Sequence, residues 1–153
     1  MSYVLPRQVV PVRFPRRVLI QLTVRVASII QRRDSARLRE LLTTIACRAR
    51  PAAYEETNAI KEQVLTASPE CRGNDACLTR SITIALLCRL RGRWPSWCVG
   101  VSLTPPFTAH AWVEAEDRVV EDILLVGDYR TFYKVEAGRS SRSAARPLSL
   151  IHI

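Results

Sequence analysis

Three side chains in this sequence, Cys77, His110 and Asp122, have types and positions that suit acyl transfer. Such chemistry needs a nucleophile, a base that takes its proton and an acidic group that orients the base. The chain holds only two histidines, and the other one, His152, is next to the C-terminus. His110 is therefore the candidate base.

Cys77 stands at the start of a predicted helix, directly after Gly-Asn-Asp, in which Asn74 or Asp75 is the expected N-cap. Aligned peptide dipoles at a helix N-terminus favour a thiolate, so we expect the pKa of this thiol below its usual value of about 8.5. The alternative is that Cys77 is a small apolar residue that packs as Cys88 does.

His110 lies in the stretch Ala-His-Ala-Trp-Val-Glu, whose alternation is typical of a strand. Alternation places Ala111 and Val113 on one face of the strand, and His110 and Glu114 on the other. A structural role is the alternative for a lone strand histidine. Glu114 is a second candidate to orient its ring.

Asp122 follows His110 by twelve residues, on the next predicted strand, and shares a face with Val120 and Leu124. A carboxylate between apolar neighbours is costly to bury without a partner, and a ring nitrogen of His110 would supply one. The alternative is an Asp122 that faces water.

The turn between these two strands decides whether the two side chains meet. Directly paired residues of an antiparallel ladder share a face, and so do residues two apart on one strand. His110 and Asp122 can therefore meet only if the residue numbers of each directly opposed pair add to an even total. A two-residue turn at Glu116 and Asp117 gives an odd total, but its primed form needs positive φ and no Gly is present. We therefore predict a three-residue loop or a bulge. An odd register with Asp122 turned away from His110 would leave Glu114 as the orienting residue.

Hydrophobic periodicity predicts the elements that position these residues. Between residues 16 and 32 a strand-like alternation competes with a helical stripe, and the longer helical stripe decides. Helices are predicted over about 16–32, 35–50, 53–67 and 76–91, and strands over about 97–104, 108–115, 118–126 and 129–135. The last helix is apolar nearly all round, which predicts a central, buried helix packed on an antiparallel sheet in an α+β fold.

The length and composition favour one domain: 153 residues that are 48% hydrophobic allow one substantial core and not two. We expect a basic extended arm over residues 1–15, a single catalytic domain over 16–136 and a Ser/Arg-rich tail over 137–153. The net charge is +9, and residues 1–50 hold 11 Arg against two acids. No aromatic residues interleave with these cations and no nucleic-acid motif is present, so we expect no nucleic-acid partner.

The five cysteines are odd in number, irregularly spaced and without a Cys-x-x-Cys pair. This pattern argues against a disulfide framework or a zinc site and favours a cytoplasmic location. We expect no metal and no cofactor. Residues 18–30 are mostly apolar, but Arg25 interrupts them and a helix of that length reaches only about 20 Å of the ~30 Å hydrocarbon core. We therefore expect no membrane-spanning helix and no membrane among the partners. Peripheral contact with a membrane surface stays open.

Four stretches of the chain resemble the lasso-peptide leader peptidases, the stand-alone protease half of the split lasso B protein. They are Cys77-Leu-Thr-Arg-Ser81, Leu86-Leu-Cys-Arg-Leu-Arg-Gly92, Trp97-Cys-Val-Gly-Val101 and Pro106-Phe-Thr-Ala-His-Ala-Trp-Val-Glu114. The resemblance is strong over about 70–125 and looser over 16–69. It implies a transglutaminase-like fold and a triad in which Cys77 is the nucleophile, His110 the base and Asp122 the acidic member.

The same resemblance implies cysteine proteolysis of a ribosomally made precursor. The enzyme would remove the leader so that a lasso cyclase can join the freed amine to an Asp or Glu side chain. It would work with a separate leader-recognition protein, a RiPP recognition element. Two alternatives stay open: an acyl transferase of the transglutaminase or amidase type, and a scaffold that binds the precursor without cutting it. The presence of all three triad residues argues against the scaffold.

Overall fold

The structure is a computed structural model that describes residues 10–120 and 129–138. In these ranges the helices are α1 (Phe14–Ile30), α2 (Ser35–Ala46), α3 (Tyr54–Ala67) and α4 (Cys77–Arg89). The strands are β1 (Arg50–Pro51), β2 (Arg93–Trp94), β3 (Ser96–Ser102), β4 (Ala109–Ala115), β5 (Arg118–Val119) and β6 (Tyr129–Val135). An antiparallel sheet with the order β5-β4-β3-β6 packs beneath the helices, and β1 and β2 form a separate parallel pair. The predicted α+β fold is confirmed.

The helical interpretation of the ambiguous segment is confirmed, because α1 buries one side, with Ile20, Val24 and Ala27 in the core. The helix begins at Phe14, inside the segment predicted as an extended arm. Pro15 lies in its first turn, where the missing N–H leaves no intrahelical bond unmade. Residues 1–9 of the predicted arm, and the predicted tail from residue 139 onward, lie outside the described residues.

The second helix is shorter than predicted. Asp34 caps α2, with its carboxylate accepting from the N–H of Arg37 at 3.0 Å. The helix ends at Ala46, well before Pro51, because Arg50 and Pro51 pair with β2 instead. The third helix has nearly its predicted bounds.

The prediction of a central, buried α4 is confirmed. Ile82, Ile84 and Leu87 have no exposed surface. On the side of α4 that faces the sheet, Ser81 accepts a 3.0 Å hydrogen bond from Trp97 Nε1 of β3. This bond joins the helix to the sheet in the middle of the core. Within the described ranges, no helix combines the length and apolarity that crossing a bilayer requires.

The predicted loop between β4 and β5 is wrong. Glu114 pairs with Val119 and Ala115 with Arg118, so a two-residue turn joins the strands in the odd register. Both turn residues have positive φ, 53° at Glu116 and 59° at Asp117.

A tertiary contact explains how a turn without Gly adopts this form. The carboxylate of Glu116 accepts a 2.9 Å hydrogen bond from the N–H of Tyr54, at the start of α3. A helix N-terminus favours a carboxylate, which offsets the backbone strain of the turn. The residues predicted to continue the third strand, 121–126, lie outside the described part of the chain.

Candidate active site

Cys77 is the first residue of α4, as the sequence predicted to within one position. The predicted N-cap is wrong, because a short 3₁₀ turn, Asn74–Ala76, leads directly into the helix and Ala76 occupies the cap position without a side-chain bond. The thiol therefore lies at the positive end of a 13-residue helix.

A buried cation holds the chain that precedes Cys77. Arg80 is only 3% exposed, and its Nη1 donates to the carbonyl oxygens of Cys71 at 2.8 Å and Gly73 at 3.2 Å. These bonds tie the 3₁₀ turns before the helix to its second turn. The guanidinium also favours a thiolate at Cys77 by its charge.

The start of α4 meets the outer edge of β4. The N–H of Val120 donates to the carbonyl of Val113, so the odd-numbered residues of β4 direct their backbone polar groups away from β3. Ala111 shares this orientation, and its backbone N–H donates to the Cys77 sulfur. Cys77 is thereby placed against the edge of the strand that carries His110.

His110 is in hydrogen-bond contact with Cys77. Burial disfavours the Cys77 thiolate, but the bonds from His110 and Ala111, together with the charges of His110 and Arg80, outweigh it and lower the pKa of Cys77. Burial acts with less opposition elsewhere: it raises the pKa of Cys88 to about 11 and that of Cys98 to about 12. All five cysteines are free thiols, and Cys77 stands apart in the direction of its shift.

Two aromatic rings flank the imidazole on the face of the sheet away from α4. The Trp112 ring is nearly parallel to that of His110, at 16° with ring centroids 6.0 Å apart, and the Tyr129 ring lies 5.5 Å away. These contacts restrict the imidazole to the side of β4 from which it reaches Cys77.

A thiol at the start of a buried helix, paired with a histidine on the neighbouring strand, is the arrangement that acyl-transfer enzymes of this kind use. The family model for the transglutaminase-like superfamily matches residues 20–135, which is more than half of the chain. The chain belongs to the transglutaminase-like superfamily. This superfamily includes cysteine proteases and acyl transferases. Comparison with curated proteins and with solved structures gave no match.

Glycine at position 100 permits the stacking of Trp112 in this transglutaminase-like domain. Gly100 pairs with His110 across β3 and β4. A Cβ at position 100 would overlap the carbonyl of Arg130 and lie 2.9 Å from the Trp112 ring. A larger residue would therefore push the ring away from His110 or displace β6.

Glu114 lies on the same side of β4 as His110, as predicted, but it holds other residues. One carboxylate oxygen accepts from Trp112 Nε1 at 3.0 Å and the other from Lys134 Nζ at 2.7 Å. Burial opposes ionisation of Glu114, yet the bonds from Lys134 and Trp112 keep its pKa below the usual range. Glu114 thus anchors Trp112, which in turn stacks on His110.

Asp122, the predicted acidic member of the triad, lies outside the described residues. The odd register is established only as far as Val120. The position of Asp122 relative to His110 therefore stays a prediction, and so does its role.

A cleft of about 350 Å³ opens beside Cys77 and His110. Its walls are mainly apolar and come from α2, the start of α4 and the sheet: Leu38, Leu78, Val99, Ala109 and Tyr133. Gln31 and Arg33, between α1 and α2, and Ser35, the first residue of α2, contribute the polar part of its lining. The cleft can hold an apolar side chain next to the thiol. Among the described residues, no group of three or more His, Cys, Asp or Glu could hold a metal ion.

Three features of this transglutaminase-like site were not predicted: the anchoring by Arg80, the ring of Tyr129 and the requirement for Gly100. Arg80 had a visible signal, because it is a cation in a helix that is otherwise apolar nearly all round. Tyr129 and Gly100 had none, since both act through contacts between strands that are distant in sequence.

Proposed function

We propose that this protein is a cysteine peptidase that removes the leader from a ribosomally made lasso-peptide precursor. The observation that carries the proposal is the hydrogen bond between Cys77 and His110, with the pKa of the thiol lowered, in a transglutaminase-like domain. The resemblance of residues 70–125 to the lasso leader peptidases supports the choice of substrate.

In the proposed reaction, His110 takes the proton of Cys77, and the sulfur attacks the carbonyl carbon of the amide that joins leader to core. The backbone N–H of Cys77, at the N-terminus of α4, is proposed as one donor to the resulting oxyanion. His110 then protonates the departing core amine, which leaves the leader as a thioester on Cys77. Water, deprotonated by His110, hydrolyses that thioester. Asp122 is proposed to orient the imidazole, which requires the odd register between β4 and β5 to change after Val120.

The cleft and the charge distribution support a peptide substrate. The apolar walls beside Cys77 suit a side chain of the precursor near the scissile bond, and the Arg33 guanidinium suits a carbonyl or carboxylate of the same peptide. We propose a cytoplasmic location, a separate leader-recognition protein that delivers the precursor, and a lasso cyclase that acts on the product.

The test uses a precursor peptide and a leader-recognition protein, to be sought among the genes next to that of this chain. With both present, we expect cleavage into leader and core, with the two product masses adding to that of the precursor plus one water. Without the recognition protein we expect cleavage to slow at least about tenfold, because delivery converts an encounter into an intramolecular reaction. Loss of ammonia with formation of a new amide would instead indicate an acyl transferase. No change in the precursor would contradict both activities.

A pair of isosteric variants tests which carboxylate orients His110. Asp122→Asn is expected to fold and to cleave at least about 100-fold more slowly, because the imidazole loses the group that selects its tautomer. Glu114→Gln is expected to lose less activity, since its carboxylate bonds to Trp112 and Lys134. Rates for both come from the same precursor assay. A larger loss in Glu114→Gln would assign the orienting role to Glu114.

A further inference from the structure

The outer side of α1 carries an unusual row of exposed apolar residues. The row, here called the α1 stripe, consists of Phe14, Val18, Leu22, Val26 and Ile29, which are 77%, 42%, 55%, 48% and 63% exposed. Their spacing of three or four residues aligns them along one side of the helix over a length of about 22 Å. A surface helix ordinarily places polar residues there.

The α1 stripe lies opposite the side of the helix that packs into the protein. Ile20, Thr23 and Ala27 face the core, and on a helix with 3.6 residues per turn they are about half a turn from the middle of the stripe. Helix α1 is therefore apolar on two sides. One side is explained by the core, and the other needs a partner outside the fold.

The charged residues of α1, of the segment before it and of the three residues after it are all of one sign. Residues 1–33 contain seven Arg and no acid. Of these, Arg13, Arg17 and Arg25 are exposed on or next to α1, and Arg32 and Arg33 follow its end.

The positive charge of these arginines indicates what kind of partner the α1 stripe fits. Two copies of α1 face to face would bring arginines together without a compensating acid. The chain's own residues 139–153 do not supply that acid either, since they carry three Arg and no Asp or Glu. The complement of the α1 stripe is an apolar surface with negative charge at its border.

We propose that the α1 stripe binds the surface of a membrane that contains anionic lipids. The helix would lie in the plane of the interface, with its apolar side chains at the boundary between headgroups and acyl chains. The flanking arginines would bind lipid phosphates, and Arg25, within the stripe, would extend its guanidinium toward the headgroups. A fluid lipid surface fits a row of apolar side chains that project from a single exposed helix face.

This mode of contact differs from the membrane span that the sequence excluded, and it revises the expectation of no membrane contact. It also affects the site. Gln31, directly after α1, accepts a 2.6 Å hydrogen bond from the Thr79 hydroxyl of α4 and lines the cleft beside Cys77. A membrane bound along α1 would hold the opening of the cleft close to the lipid surface.

The experiment is co-sedimentation of the full chain with vesicles of phosphatidylglycerol and phosphatidylcholine in equal amounts, and with vesicles of phosphatidylcholine alone. We expect binding to the mixed vesicles, at least tenfold weaker binding to phosphatidylcholine alone, and weaker binding as salt is raised. The double variant Leu22→Glu/Val26→Glu should reduce binding to the mixed vesicles at least tenfold. Phe132→Glu is the matched control, because Phe132 is 63% exposed on β6, outside the stripe, and should bind as the parent chain does.

Two further variants keep the test decisive. Arg17→Gln/Arg25→Gln leaves the apolar residues in place and should lower binding through charge alone. Cys77→Ala should bind vesicles as the parent does, so failure of the proposed peptidase reaction would leave this proposal intact. Absence of binding to mixed vesicles, equal binding to both vesicle types, or binding unchanged in both α1 variants would each overturn the proposal. A concentration-dependent dimer abolished by Leu22→Glu/Val26→Glu, without vesicle binding, would assign the stripe to a second copy of the chain.

Discussion

Cys77→Ala is expected to abolish cleavage of the precursor, with a rate loss of at least about 10³-fold. The reason is that the acyl-enzyme cannot form without the sulfur, and alanine keeps the helix start without adding bulk. The measurement is the amount of leader and core released over time, by liquid chromatography and mass spectrometry, with the leader-recognition protein present.

Cys47→Ala is the matched control for this prediction. Cys47 is also a partly buried free thiol, at the end of α2 and outside the cleft. It should retain activity close to that of the parent chain. Cleavage that persists in Cys77→Ala would contradict the assignment of the nucleophile, and so would an equal loss in Cys47→Ala.

His110→Ala is expected to abolish cleavage and also to raise the pKa of Cys77. Burial disfavours the thiolate, and His110 supplies a hydrogen bond and a charge that oppose burial. When the imidazole is removed, burial is opposed only by the N–H of Ala111 and the charge of Arg80. The thiolate should then form only at higher pH.

The pH dependence of alkylation by iodoacetamide measures this shift independently of any substrate. A lowered pKa keeps thiolate present at lower pH, so in the parent chain Cys77 should react faster at pH 7 than the other cysteines, and its rate should reach a plateau at lower pH. In His110→Ala the midpoint should move to higher pH. Cys88 and Cys98, whose pKa values are raised by burial, serve as internal controls and should stay slow in both proteins. An unchanged midpoint would remove His110 as the partner of Cys77.

The aromatic stacking around His110 sets the geometry of the pair formed by Cys77 and His110. Trp112 lies over Gly100, donates a hydrogen bond to Glu114 and stacks on the imidazole of His110. This side of β4 therefore supports the imidazole ring. Lys134 of β6 adds to this support because its ammonium group donates a hydrogen bond to Glu114. A strand histidine without such support could rotate away from a thiol that approaches at the edge of the sheet.

The local pattern of residues predicted which segments are helical better than it predicted where those helices end. The length of the helical stripe was enough to identify α1, and the nearly continuous apolar surface of α4 was enough to place it in the core. The end of α2 was missed because Arg50 and Pro51 are drawn into a parallel pair with Arg93 and Trp94, about 40 residues later. Helix propensity carries no information about such a pair.

The prediction of a three-residue loop or a bulge after β4 was wrong for a related reason. Local rules favour Gly, Asn or Asp where φ is positive, so they count against Glu116 and do not by themselves select this turn. The hydrogen bond from Tyr54 to Glu116 supplies the missing stabilisation, and it comes from a helix more than 60 residues earlier. The register that this turn sets is odd, which no reading of residues 109–120 by themselves would favour.

By itself, the sequence determined the α+β class, the burial of α4, and the position of a thiol at a helix start and a histidine on a strand, because these depend on periodicity over a few adjacent residues. Only the tertiary structure decided that the two groups meet at the edge of β4, that Arg80 and Ala111 help to lower the pKa of Cys77, and that α1 leaves an apolar side exposed. These depend on which distant segments pack together, and packing is selected by the free energy of the whole chain.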